Sequence, residues 1–287
     1  MKDGFEIDKA LVRAAFDRAA HDYERHARLQ QEVQQRLLER LDWIRIEPAR
    51  VIDLGCGPGG ALKALAQRYR KARVAGLDFA QGMALRARAQ GRWFRRPWAI
   101  CADMERLPLA DASFDLAISA AALQWVTDLD RVFAEVRRVV APGGLWLFAT
   151  FGPDTLRELR EAFARVDAGS AVHVNAFIDM HDIGDALVRA GFADPVMDQE
   201  RLTVTYPDLP ALLRDLRGVG VRNALSGRHR GLLGPRRLRA VADAYLSQYG
   251  EQGRLPASWE VVYGHAWVPA APPPSRFPGR FIPVRPG

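Results

Sequence analysis

Cysteine is nearly absent from this chain: Cys56 and Cys101 are its only two, 45 positions apart. They make neither a disulfide framework nor a four-thiolate zinc site, so a reducing, cytoplasmic location is expected. Lysine is almost as scarce. Of 41 basic residues only Lys2, Lys9, Lys63 and Lys71 are lysines and 37 are arginines; with abundant alanine this suits a GC-rich genome, and arginine richness alone marks no binding site. Long apolar runs are missing too. The greasiest stretch, Val139 to Phe151, is broken by Pro142-Gly143-Gly144, short of the roughly 18 apolar residues that mark a membrane span. The N-terminus carries Asp3, Glu6 and Asp8 and no apolar block, which argues against a signal peptide. None of the six histidines has ligand spacing, so no metal is expected.

What is present suits an ordinary globular protein. With 48% hydrophobic and 26% charged residues the chain can bury a sizeable core. Its 287 residues fit one elaborated domain or a core carrying an insertion. The formal charge of +7 is concentrated: residues 201–254 hold ten arginines against Asp208, Asp215, Asp243 and Glu251, a net +6. A local basic face of this kind concerns one partner surface rather than the whole molecule.

Apolar spacings of three and four predict helix over 9–42, through Leu11, Val12, Ala15, Phe16 and Ala19, then Leu29, Val33, Leu37 and Leu41. Beyond Pro48, strands alternate with helices: strands at 50–54, 73–78, 98–102, 114–119 and 144–151, helices after the first at about 60–70 and at 81–90 and 130–140. Five short apolar strands so separated predict an α/β fold with a parallel central sheet and helices on both faces. Helices at 154–166 and 181–190, a strand at 195–206, an Arg-rich helical block over 209–249 and a last strand at 259–268 follow. If those two strands pair antiparallel at the sheet edge, the block between them is an insertion over one end of the sheet. The expected division is a helical segment 1–45, a core 46–206, an Arg-rich insertion 207–255, a last core strand 256–268 and a Pro-rich tail 269–287 without fixed structure.

Val51-Ile52-Asp53-Leu54-Gly55-Cys56-Gly57-Pro58-Gly59-Gly60 is an apolar strand running into a Gly-rich turn that opens a helix. Glycines there allow a tight turn and close approach of backbone to a ligand. Gly55-x-Gly57-x-x-Gly60 alone also satisfies a dinucleotide fingerprint. Asp53 shifts the balance, because a carboxylate suits an ammonium group and repels pyrophosphate. Asp53-x-Gly55-x-Gly57-x-Gly59 resembles motif I of the class I S-adenosylmethionine (SAM) methyltransferases. Asp78 ends the second strand, about 20 residues on, where an acid accepts ribose hydroxyls. Asp103, at the end of the third, resembles that superfamily's adenine-reading residue, with Phe79 and Met104 as apolar neighbours of the ring. The stretches at 114–119 and 139–144 also look like motifs of this superfamily.

Outside the core, Phe16-Asp17-Arg18-Ala19-Ala20-His21-Asp22-Tyr23-Glu24-Arg25-His26 resembles the N-terminal segment of the malonyl-acyl-carrier-protein O-methyltransferases of biotin synthesis, the BioC family. The resemblance continues through Gln124-Trp125, His173-x-Asn175-x-Phe177 and Asp215-Leu216-Arg217-Gly218-Val219-Gly220, and covers about residues 10 to 268. It implies methyl transfer from SAM to the free carboxylate of a malonyl thioester on acyl-carrier protein, with residues 1–45 as a lid. SAM would be held by Tyr23, Asp53, Gly55, Gly57, Gly59, Asp78, Phe79, Asp103 and Met104. The acceptor would meet Phe16, Gln124, Trp125, His173 and Arg217, the last through either the malonyl carboxylate or the carrier protein. No general base is expected, since a malonyl carboxylate is already ionised at neutral pH. The implied partner is carrier protein bearing malonyl-phosphopantetheine, with neither nucleic acid nor membrane. The rival readings are a SAM methyltransferase for another acceptor, such as a quinone precursor or RNA, and a SAM-binding assembly factor.

Overall fold

The computed structural model describes residues 7–90, 97–167, 177–220 and 234–270. Within them seven strands, β1 (Arg50–Leu54), β2 (Arg73–Asp78), β3 (Trp98–Cys101), β4 (Phe114–Ala120), β5 (Val140–Phe151), β6 (Ala193–Tyr206) and β7 (Leu255–Trp267), form one sheet. Its order is β3-β2-β1-β4-β5-β7-β6. The first five are parallel, and β7 runs antiparallel to both β5 and β6. The strands of the middle are covered on both faces, which is why Val51–Leu54 and Leu145–Phe151 are almost unbroken apolar runs with every residue buried. β6, at the edge, instead carries Asp198, Gln199, Glu200 and Arg201 in sequence, a charged edge that discourages further strand pairing.

Helices close both faces. On one, α3 (Arg28–Glu39) lays Val33 and Leu37 against Val51, Leu116 and Leu145, and α4 (Gly60–Arg68) adds Ala61 and Leu65. On the other, α6 (Leu129–Val139) turns Val132, Phe133, Val136 and Val139 onto Trp146 and Phe148, joined by Leu187 of α8 (Met180–Arg189). Asp128 and Asp179 cap these two helices by accepting the Arg131 and His181 N–H groups. α5 (Gln81–Ala89) covers β2 and β3.

The helical region expected over 9–42 consists of three helices: α1 (Lys9–Ala19), α2 (Tyr23–His26) and α3, the last ending in a short 3-10 turn at Arg40–Asp42. The apolar stripe of α1 faces Phe79, Trp125 and α5, whereas that of α3 faces the sheet. One straight helix cannot present both stripes, and the chain breaks at Ala20–Asp22.

Between β6 and β7 stand α9 (Leu209–Gly218) and α10 (Pro235–Tyr249), with 221–233 outside the described residues. α10 packs on α7 (Arg157–Asp167) and β7, α9 on α2 and β6. β7 starts at Leu255 rather than near Trp259. Pro256 disfavours such an early start, yet β5 reaches only to the partner of Val261, so Pro256 faces β6 alone and its missing N–H breaks no ladder on the other side. The tail expected to lack fixed structure lies almost wholly outside the described residues. Among those described, no helix is long and apolar enough to cross a membrane.

Candidate active site

The strand order reverses between β1 and β4, and in an open α/β sheet the crevice at the carboxyl ends of such strands is where ligands bind. The Gly-rich turn follows β1 at that point. Gly55 and Cys56 donate their N–H groups to the Leu77 carbonyl of β2, at 2.7 and 3.0 Å. Gly55 has φ +77°, and a Cβ there would lie 2.3 Å from the Cβ of Ala122, so only glycine admits the loop that follows β4. Gly57, at φ +52°, borders a cleft, and a Cβ at this position would meet no protein atom within 4 Å.

Gly59 differs from its expected role. It precedes α4 at φ +97°, and its missing side chain admits Ala87 of α5 and Gln90 just beyond that helix. It packs two helices together and does not line the cleft.

Asp53 and Asp78 lie behind the turn. Asp78 borders the cleft, and its carboxylate accepts the Gly57 N–H at 2.9 Å and the Ala80 N–H at 2.8 Å. Burial pushes it up to about 6 against the pull of these two donors. Asp53 is 2% exposed, and its Oδ1 has no hydrogen-bond partner. Burial, and then the charge of Asp78, pushes Asp53 up to about 8. It sits just beneath the turn rather than on the open wall of the cleft. The Cys56 thiol beside them is driven well up by burial and by both acids, which leaves it unreactive as a nucleophile.

At the other end of the cleft Asp103 and Met104 follow β3. Asp103 accepts the Glu105 N–H through Oδ1 (3.0 Å) and the Lys9 ammonium through Oδ2 (2.7 Å). Glu105 is itself 2.7 Å from Lys9 and accepts from the Thr127 N–H and hydroxyl and the Asp128 N–H. Burial opposes its ionisation, but the bonds from Lys9 and Thr127 outweigh it and hold the carboxyl below its ordinary value.

α1 and α2 close the top. The Phe16 ring sits 5.5 Å from Trp125, 6.1 Å from Phe79 and 6.4 Å from Tyr23, centroid to centroid, and all four border the cleft. Burial and the nearby Asp78 raise the Tyr23 hydroxyl far above its usual range, so it stays a neutral phenol. α9 backs this lid. Gly220 lies flat on Phe16, where a Cβ would approach to 3.0 Å, and Gly218 on the His26 ring, where it would approach to 2.3 Å. His26 Nδ1 is 3.1 Å from Asp215, whose second oxygen accepts the Tyr206 hydroxyl at 3.2 Å.

The structure thus brings Phe16, Tyr23, Gly55, Gly57, Asp78, Phe79, Asp103, Met104 and Trp125 to one cleft. Gln124 is not on its wall: its amide donates to the Ala121 carbonyl at 2.7 Å and accepts from Thr150 at 3.4 Å, stapling the loop after β4 to β5. Arg217 is exposed on α9, outside the cleft. His173 lies outside the described residues. Sequence reasoning missed Lys9 and Glu105, because nothing in the sequence sets Lys9 apart from the other three lysines. Among the described residues, no group of three or more His, Cys, Asp or Glu side chains could hold a metal ion.

The donor set suits a nucleoside that carries a cation. It offers an unpartnered buried carboxyl under a glycine turn, a second carboxylate at a β-strand end, a third beside an apolar slot, and aromatic walls.

Residues 52–148 match the methyltransferase domain family. Over most of its length the chain is similar to malonyl-acyl-carrier-protein O-methyltransferases. It is 52% identical to that of Laribacter hongkongensis over 281 residues, covering 95% of this chain and 94% of the relative. It is also 52% identical to that of a Methylovorus species (94% and 92%) and 50% identical to that of Halorhodospira halophila (92% and 90%). Solved structures share the fold at low identity. Phosphoethanolamine N-methyltransferase 2 of Haemonchus contortus in complex with SAM superposes with TM-score 0.54 at 18% identity, over 88% of this chain and 57% of that one. The [4+2]-cyclase SpnF superposes with TM-score 0.51 at 18% identity, over 84% and 82%. A cyclase on this fold shows that architecture alone does not name the reaction.

Proposed function

This chain belongs to the malonyl-acyl-carrier-protein O-methyltransferases, and from that premise we propose how its cleft moves a methyl group from SAM to the free carboxylate of a malonyl thioester on carrier protein, the step that primes pimeloyl synthesis for biotin. The similarity over 95% of the chain, lid and insertion included, carries the choice of acceptor. SAM, when bound, supplies a methyl group on a sulfonium that a carboxylate oxygen can displace.

Everything else falls to the chain. Asp53, buried and unpartnered, would hold the ammonium of the methionine part, and Asp78 the ribose hydroxyls. Asp103 would accept the adenine amine beside Met104 and Phe79. Phe16, Tyr23 and Trp125 would wall the reacting atoms from water. With an acceptor ionised at neutral pH no proton need be removed, so rate enhancement comes from alignment and dehydration. Esterification then removes a charge that is costly to bury.

The exposure of Arg217 favours the carrier protein or its phosphopantetheine phosphate over the malonyl carboxylate as its partner. Arg214, Arg236 and Arg239 are also exposed on α9 and α10, whereas Arg237 is bound to Asp167 at 2.8 Å. Such a face steers an acidic protein and is screened by salt. Arg217→Ala should raise KM for malonyl-carrier protein and leave both kcat and SAM affinity in place, and kcat/KM of the wild type should fall with ionic strength. A variant with normal carrier-protein kinetics, or a salt-independent kcat/KM, removes this face from docking.

A further inference from the structure

Lys9 is the sole cation on the wall of the cleft among the described residues, and it comes from the lid. As the first residue of α1 it reaches Asp103 Oδ2 and Glu105 Oε1, each at 2.7 Å. Glu105 is a prepared anchor, fixed by the Thr127 N–H and hydroxyl and the Asp128 N–H. Among the described residues the far end of α1 is tied by Asp17, which accepts the Gly82 N–H at 2.8 Å, and between the ends Val12 and Phe16 rest on apolar partners while the Arg13 guanidinium lies 6.0 Å from the Phe79 ring centroid. Two carboxylates two residues apart would repel without the ammonium between them.

We propose that Lys9 is a positioning residue: its ammonium, bridging Asp103 and Glu105, latches α1 over the nucleotide end of the cleft and fixes the carboxylate that receives the cofactor's base. This rests on the reading of the cleft as the SAM site. Each Asp103 oxygen holds one protein donor, Glu105 N–H on Oδ1 and Lys9 on Oδ2. That fixes the rotamer and leaves free lone pairs for a ligand amine. On this reading α1 lifts when spent cofactor is exchanged for fresh, and the bridge is the ion-pair contact that opens with it.

The test is calorimetry and stopped-flow release of SAM and of S-adenosylhomocysteine for wild type, Lys9→Met and Lys9→Arg, with KM measured separately for SAM and malonyl-carrier protein. Loss of a half-buried charged hydrogen bond should weaken SAM about tenfold or more, mainly through faster release, and raise KM for SAM but not for the carrier protein. Lys9→Arg, which keeps the bridge, should restore most of the affinity. A thermal melt of Lys9→Met checks that the core is intact. Unchanged affinity and release in Lys9→Met overturn the latch, and tighter binding overturns it too, because the ammonium would then compete with the base for Asp103. A wild type that fails to bind SAM instead removes the cofactor reading itself.

Discussion

Burial, and then the charge of Asp78, pushes the Asp53 carboxyl up to about 8. A bound ammonium reverses that preference. SAM affinity should therefore rise with pH up to about 8, at most about tenfold per unit. Binding at pH 7 should release a proton, visible as a dependence of calorimetric heat on the buffer's ionisation enthalpy; a buffer-independent heat would contradict this. Stability carries the opposite sign. The folded state binds more protons than the unfolded one between the ordinary carboxyl range and about 8, so the ligand-free protein loses stability as pH rises through that window. Asp53→Asn should then stabilise it, by on the order of a few kcal/mol at pH 9 and by little at pH 5, while abolishing SAM binding. Equal denaturation midpoints at both pH values would sink the assignment. The glycines separate in the same way. Gly55→Ala meets Ala122 and should disrupt the turn, whereas Gly57→Ala meets no protein atom and should cost about 1 kcal/mol of strain yet weaken SAM strongly. Both are readable from thermal melts and calorimetry. Asp53, Asp78 and Asp103 were legible in the sequence because each is tied to a strand end by its own local motif. Lys9 and Glu105 were not, since their meeting depends on how a separate helix docks.

The lid and the insertion meet through α2 and α9. Asp215 joins His26 to Tyr206, and Gly218 leaves room for the His26 ring. His26→Ala and Asp215→Ala should each weaken SAM, and the double variant should lose less than the sum, with a coupling of about 1 kcal/mol in a double-mutant cycle. Additive losses would mean the two elements act separately. At this scale the parallel strands and the antiparallel edge pair were legible from apolar runs and their separation. The break of the N-terminal helix was not, because helical periodicity continues across it and only the two different docking surfaces of α1 and α3 decide it. Gln124 illustrates the converse: it falls in a motif-like position, but the turn after β4 uses its amide for the backbone.

Across the described residues, the acids of the cleft and the exposed arginines of the insertion occupy different elements. Acids line the cleft where a cationic ligand would sit, and exposed arginines stand on α9 and α10. The sequence showed the +6 segment but not which arginines face outward, since Arg237 is spent on Asp167. Nor does the core choose the acceptor, because other chemistries share its fold. The most direct measurement is mass spectrometry of malonyl-carrier protein and acetyl-carrier protein after incubation with the purified protein and SAM. A carboxyl O-methyltransferase adds one methyl group to the malonyl form and none to the acetyl form, which lacks the free carboxylate. No transfer to malonyl-carrier protein while SAM is bound, or equal transfer to both, would contradict that assignment.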